Sequence, residues 1–394
     1  MNDIRAKVKG KTIENFRGFD GTHGVDRAKA LAEWGMLDDA LNVINTCLVL
    51  QSGMDIALFN RGVILANMGR YEEAIPDFND VVMYQNTNKT PSAHKENAIY
   101  ARGLCNLALG NLEDGFREYE PRRRHLTELP KRPHYTGAED LKGKTLFVVG
   151  EPTCSENLLF SRFLSKVHCD IAFAVPPALQ LMFHCFPGIR LVKHMDTIGY
   201  YDYWCTLMSL AVTSKATMET IPQIPKFALP LDNTIRWRPD MGIMQSRRVG
   251  LCWSGPECHD NGDMPLELMS PLFDLEGIEY FCFQDEVVVS DQPAFDRLDI
   301  WNMGKKFKNY IDAACALKSM DLLITVDNAI AHIAATLNIP CWVLLPKYKT
   351  HWLWASKKNV CPWYPSVRIF RQYKDGDWST VITEVQKSLV EFCH

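Results

Sequence analysis

The chain has no C-x-x-C pair, although it holds 13 cysteines in 394 residues, and its two closest cysteines are Cys252 and Cys258. An odd number without framework spacing argues against a secreted disulfide scaffold and against a zinc site. It points instead to reduced thiols in a cytosolic setting, so a cytoplasmic localisation is expected. Most of these thiols then serve as small buried hydrophobes. There is no excess of charge of one sign: 43 basic side chains face 47 acidic ones, for a net charge of −4. Nothing global therefore selects nucleic acid or a membrane surface as a partner. No apolar run approaches the length of a bilayer span. The first residues, MNDIRAKVKGKTIENF, are charged and contain no apolar h-region, so no signal peptide is expected. What remains is an ordinary globular composition, 47% hydrophobic and 23% charged, long enough for two or three domains.

Internal similarity organises the first third. Gly35 and Gly69 are 34 residues apart, as are Ala40 and Ala74, within AEWGMLDDALNVI and ANMGRYEEAIPDF. A third copy, NLALGNLEDGFREY, places Gly110 where Gly69 stood and Gly103 where Gly62 stood, after a polar insertion around QNTNKTPSAHKE. A 34-residue period with small residues at packing and turn positions resembles the tetratricopeptide repeat. Each copy is a helical hairpin that cannot bury its apolar face alone, so copies stack. Such an array serves as a peptide-binding groove, a rigid platform or a dimer surface, so a protein partner and an oligomer are both open.

A basic, proline-containing connection follows, EPRRRHLTELPKRPH. Its Arg122, Arg123, Arg124, His125, Lys131 and Arg132 are candidate phosphate contacts, which keeps nucleic acid open as a partner. A solvated helix end, where cations suit the dipole, explains the same run.

Beyond it the pattern changes to α/β. KTLFVVG reads as a buried strand, followed by the amphipathic EPTCSENLLFSRFLSKV; a second unit opens at RVGLCWSG. The most informative stretch is Leu322 to Pro346, LLITVDNAIAHIAATLNIPCWVLLP. Its two continuous apolar runs are expected to be strands of a parallel sheet covered on both faces. Between them, Asp327-Asn328-Ala329 turns into a helix made of small residues. That arrangement aims a helix N-terminus at the carboxyl end of a strand, where open α/β sheets bind anions such as a diphosphate. An ordinary βαβ unit with a polar turn would look the same.

The segments VGLCWSGPECH, PLELMSPLF, FCFQ, DLLITVDNAIAHIAATLNIPCWVLLP and PWYPSVRIFRQYKDGDW together resemble the tetratricopeptide-repeat glycosyltransferases of the heptosyltransferase-like family. The resemblance implies helical repeats joined to a glycosyltransferase B fold, and transfer of a sugar from a nucleotide-sugar donor to a macromolecular acceptor (protein, glycan or modified nucleic acid). It implies donor binding in the C-terminal half by Trp253, Ser254, Gly255, Gln284, Asp327, Asn328, Ala329, His332 and Lys347. Asn328 and Ala329 would donate backbone N–H groups to the diphosphate, and His332 would add a hydrogen bond or organise the turn. The amide of Gln284 would read a base or ribose, and Lys347 would supply charge near the leaving group. Glu156 is the first candidate for the base that removes the acceptor proton and His259 the second; a helix N-terminal carboxylate is the structural alternative for Glu156. No metal and no other cofactor is expected, since no D-x-D pair is placed where a cation would bridge the diphosphate.

Three departures stand out. EPTCSE replaces a glycine-rich turn, and Cys154 lies within it. HDNGDM lacks an arginine the family usually carries after its His, and Leu353 in THWLWAS stands where the family commonly has Arg. A different donor, replacement by Lys347, Lys349 or Arg371, and loss of activity all fit. The reading is therefore an α + α/β chain. It has tetratricopeptide-like repeats over 1–125, a basic linker over 126–142, an acceptor-side Rossmann-like half over 143–245, a donor-side half over 246–375 and a closing helix over 376–394. A non-catalytic scaffold with a degenerate sugar-nucleotide module is the competing reading.

Overall fold

The computed structural model describes residues 21–51, 53–84, 91–125, 130–193, 197–237, 246–255, 263–356 and 358–393. By compactness the chain divides into Met1–Arg102 and Gly103–His394.

In the first unit, α1 (Gly21–Glu33) packs on α2 (Leu37–Leu50), and α3 (Asp55–Asn67) on α4 (Tyr71–Met83). Each hairpin turns on a glycine in the left-handed region, Gly35 (φ +78°) and Gly69 (φ +75°). The turns repeat the same pair of bonds: Met36 N–H to Leu31 C=O and Gly35 N–H to Ala32 C=O, then Arg70 N–H to Leu65 C=O and Gly69 N–H to Ala66 C=O. These satisfy the last carbonyls of each first helix. Gly62 is needed for close approach, since a Cβ there would lie 2.7 Å from the Phe78 ring. Polar rungs hold the repeats in register. Arg61 grips Asp77 through two bonds of 2.8 and 2.6 Å and reaches back to Asn45 at 3.3 Å. Arg102 reaches back to Asn79 at 2.7 Å, one repeat further on.

The third hairpin is divided between the units. Its first helix, α5 (Lys95–Ala108), crosses the boundary, and α6 (Leu112–Tyr119) belongs to the second unit. There Phe116 of α6 meets Phe160, Trp352 and Trp363 edge-on, at 5.7, 6.2 and 6.3 Å between ring centres.

The second unit contains two sheets. The first joins β1 (Thr145–Val149), β2 (Asp170–Ala174), β3 (Arg190–Leu191) and β4 (Tyr203–Thr206), all parallel, in the order β3-β2-β1-β4. Helix α7 (Cys154–Phe160) follows β1. The second sheet comprises β5 (Arg247–Cys252), β6 (Ile278–Cys282), β7 (Ile300–Asn302), β8 (Leu322–Val326), β9 (Cys341–Leu345), β10 (Val360–Cys361) and β11 (Tyr364–Arg371), in the order β10-β11-β9-β8-β5-β6-β7. Only the β10–β11 pair is antiparallel. Helices α8 (Tyr310–Leu317), α9 (Ala329–Thr336) and α10 (Trp378–Cys393) complete this half. Every residue of β8 and β9 is buried, as expected of strands covered on both faces. Strand order reverses between β1 and β4 in one sheet and between β5 and β8 in the other, and such switch points are where doubly wound sheets open a ligand crevice.

The two halves are not separate lobes. One continuous core runs from Phe116 and Leu146 through Phe160 to Ala331, Trp352 and Tyr364, while α10 covers a second core on the other face of the larger sheet.

Candidate functional site

The donor-side residues gather at the β5/β8 switch point. Trp253, at the end of β5, is wholly buried, and its indole Nε1 donates to Asp291 Oδ2 at 2.7 Å. The backbone N–H groups of Trp253 and Ser254 both donate to Gln284 Oε1, at 2.7 and 2.9 Å, while Gln284 Nε2 donates to Ser254 Oγ and Glu286 C=O. Both ends of this amide are engaged within the protein, where they tie the end of β5 to the segment after β6. Gly304 permits the tie, for a Cβ there would fall 1.7 Å from the Gln284 carbonyl oxygen. The Gly255 N–H donates to Asp263 Oδ1 at 3.2 Å.

At the end of β8, Asn328 is extended and caps α9. Its Oδ1 accepts from Ala331 N–H at 3.1 Å and from Thr325 Oγ1, while its Nδ2 donates to Cys252 Sγ at 3.2 Å across the switch point. The Asn328 side chain is thus engaged in capping its own helix. His332, one turn on, is 2% exposed. Its Nδ1 lies 3.0 Å from Tyr364 Oη and its Nε2 3.7 Å from Asp327 Oδ1. Burial pushes the Asp327 carboxyl up, but His332, His351 and Trp354 outweigh that and hold it below its ordinary value. Asp327 is thus an anion at the mouth of the turn, suited to accept from hydroxyls and not to meet phosphate.

Lys347 follows β9, with its N–H donating to Gln372 Oε1 and its ammonium 4.6 Å from the centre of the Tyr348 ring. Arg371 donates to Thr350 Oγ1 and the Trp354 carbonyl. Leu353 is buried among the aromatics at the end of the shared core.

After β1, the T-C-S-E sequence is a capping box. Thr153 Oγ1 accepts from Glu156 N–H at 3.1 Å and donates to Glu156 Oε2 at 3.0 Å. Burial raises the Glu156 carboxyl above its ordinary value and the Glu151 charge adds to this; Thr153 and Arg122 pull the other way. The loop is rigid because buried Asn157 bonds the Glu151 N–H, the Glu151 carbonyl and the Thr153 carbonyl. Glu151, which sequence reasoning passed over, is 4% exposed at the β1/β4 switch point. Its Oε1 accepts from Met208 N–H at 2.7 Å and Arg122 Nη2 at 2.8 Å.

Arg122 therefore does not belong to a solvent-facing basic patch. It also bonds Thr206 and Glu120, and its side chain is only 12% exposed. Arg132 stacks on Tyr200, and Lys131 is exposed. His259 and the side chains of Arg123, Arg124 and His125 lie outside the described residues. The chain does carry one D-x-D triplet that sequence reasoning missed, Asp375-Gly376-Asp377, just past β11. Its Asp377 carboxylate accepts from Ser379 Oγ and Thr380 Oγ1 at the start of α10, so it serves as a cap. Among the described residues no group of three or more His, Cys, Asp or Glu side chains is placed to hold a metal ion. None of the described helices is long and apolar enough to cross a membrane.

The helix carrying Glu156 packs directly against the helix carrying His332. A glycosyl transferase of family 9 from Veillonella parvula superposes with a TM-score of 0.54 at 13% identity, covering 65% of this chain and 99% of that one. The α/β unit has the glycosyltransferase B fold. The ADP-heptose LPS heptosyltransferase II of E. coli gives a TM-score of 0.47 at 13% identity, covering 63% of this chain and 98% of that one. In sequence, protein FlbA of Caulobacter vibrioides is 23% identical over 378 residues, which cover 85% of this chain. The match spans 61% of FlbA's own length. No protein-family model matches the chain.

Proposed function

We propose that this chain is a glycosyltransferase that moves a sugar from a nucleotide-sugar donor, held at the β5/β8 switch point, to a macromolecular acceptor hydroxyl presented at the β1/β4 switch point. The observation that supports this reading is the packing of α7, which carries a carboxyl of raised affinity for protons, against α9, whose N-terminus Asn328 caps. In this reaction the acceptor oxygen attacks the anomeric carbon as the bond from that carbon to the diphosphate breaks. The diphosphate leaves with the bonding electrons, and Glu156 takes the acceptor proton. The N-terminus of α9 and the Lys347 ammonium stabilise the negative charge as it grows. Asp327 accepts from hydroxyls of the donor sugar or ribose. Gln284 and Asn328 hold the strand ends that shape the site, and the helical repeats present the acceptor or a partner protein.

The test is titration calorimetry of the purified chain with UDP, ADP, GDP and CDP and their sugar conjugates, followed by donor hydrolysis assays. Binding with turnover supports the enzyme, and binding without turnover supports the scaffold. Absence of binding at millimolar concentration removes both.

A further inference from the structure

Arg162 stands just past α7, on the acceptor half, yet it reaches into the donor half. It is 2% exposed. Its Nε donates to the Leu159 carbonyl at 2.8 Å and its Nη1 to the Trp363 carbonyl at 3.0 Å, on the segment that leads into β11. Its guanidinium centre lies 5.1 Å from the centre of the Tyr364 ring and 5.4 Å from that of Trp363. The buried Nη2 makes no hydrogen bond among the described residues. A buried cation is costly unless its position is useful, and this one sits over the phenol that touches His332.

The proton positions follow from the chemistry. Asp327 is ionised and only accepts, so the His332 Nε2 that faces it carries the proton. His332 Nδ1 and Tyr364 Oη share a hydrogen bond of 3.0 Å, in which the phenol O–H is the donor to a neutral ring. A cation over the phenol ring makes that O–H a stronger donor. Arg162, Tyr364, His332 and Asp327 thus form one chain from the acceptor half to the donor turn.

We propose that Arg162 and Tyr364 are positioning residues which fix the His332 ring, and through it the Asp327 carboxylate, in the geometry that receives the donor. This rests on the donor site proposed above. It also means that the base on α7 and the turn before α9 are held as one rigid body, so that the acceptor half contributes to donor affinity without touching the donor.

The test is donor-side binding to the full chain, using whichever nucleoside diphosphate or nucleotide sugar of the panel binds. Tyr364→Phe keeps the ring beneath Arg162 and removes one hydroxyl. It is expected to weaken the Kd about tenfold, the scale of one lost buried hydrogen bond, and to move the His332 ring ¹⁵N shifts away from those of the native chain. Arg162→Met is expected to do the same, and Arg162→Lys to recover part of the loss. A Tyr364→Phe chain with native Kd and native His332 shifts overturns the proposal while leaving the donor site standing. A native chain that binds none of the panel overturns the donor site and this proposal with it.

Discussion

Arg122 Nη2 lies 2.8 Å from the Glu151 carboxylate, with both side chains nearly buried. An arginine that sequence alone left between a phosphate contact and a solvated helix end is the counter-charge of a carboxylate just past β1. Arg122→Met leaves Glu151 buried without its cation and is expected to destabilise the chain by about 3–5 kcal/mol. Arg122→Met combined with Glu151→Gln removes the stranded charge and recovers much of the loss. Urea denaturation followed by intrinsic fluorescence compares the single and double variants; equal losses would refute the pairing.

Glu156→Gln separates catalysis from capping. Turnover is expected to fall by at least about a hundredfold if Glu156 is the general base. The carboxyl's folded-state affinity for protons is raised above its unfolded value, so its contribution to stability is fully present below pH 4.5 and is lost as pH rises through the folded pKa. Glu156→Gln should therefore raise the melting temperature relative to the native chain more at pH 7.5 than at pH 4. A gain independent of pH, or a variant with full turnover, would count against the assignment.

Gln284→Ala leaves the Trp253 and Ser254 N–H groups without their shared acceptor. The expected cost is about 1–3 kcal/mol for each N–H that water does not reach. Gly304→Ala should be worse, because its Cβ would collide with the Gln284 backbone and the β6–β7 connection would have to move. Thermal melting ranks the two variants, and a Gly304→Ala chain as stable as the native one would contradict the packing.

Asn328 offers a cleaner separation. Asn328→Ala loses the cap of α9 and is expected to cost about 1 kcal/mol. Asn328→Asp keeps a capping oxygen but brings negative charge to the turn proposed to face the diphosphate. It should lose stability, because the side chain is 4% exposed and gives up its bond to Cys252 Sγ, and it should bind nucleoside diphosphate more weakly. Calorimetry beside thermal melting checks both halves of this expectation.

Legibility differed sharply along the chain. The repeat was readable from Gly35, Gly69 and Ala74 because a hairpin turn and a close helix contact each demand small residues at fixed spacing. The VDNAIAH turn was readable because fully buried strands and a small-residue helix leave a local pattern. The roles of Gln284 and Arg122 were not, because each depends on partners distant in the chain: Trp253 and Ser254 for one, Glu151 and Thr206 for the other. Glu151 was overlooked beside Glu156 although it lies two residues past the end of β1, since sequence shows that a carboxylate is near a strand end and not which way it faces. Asp375-Gly376-Asp377 shows the reverse error, a short motif whose purpose is set by the helix that follows it.

Local spacing alone determined that the chain begins with stacked hairpins, continues as two α/β units, and places a helix N-terminus after β8, because hydrophobic periodicity and turn chemistry act over a few residues. Only the tertiary structure decided which charges are spent inside the protein and which halves share a core. Burial and pairing are properties of neighbours in space. Arg162, unremarkable in SRFLSKV, acquires its place only when Trp363 and Tyr364 fold against it.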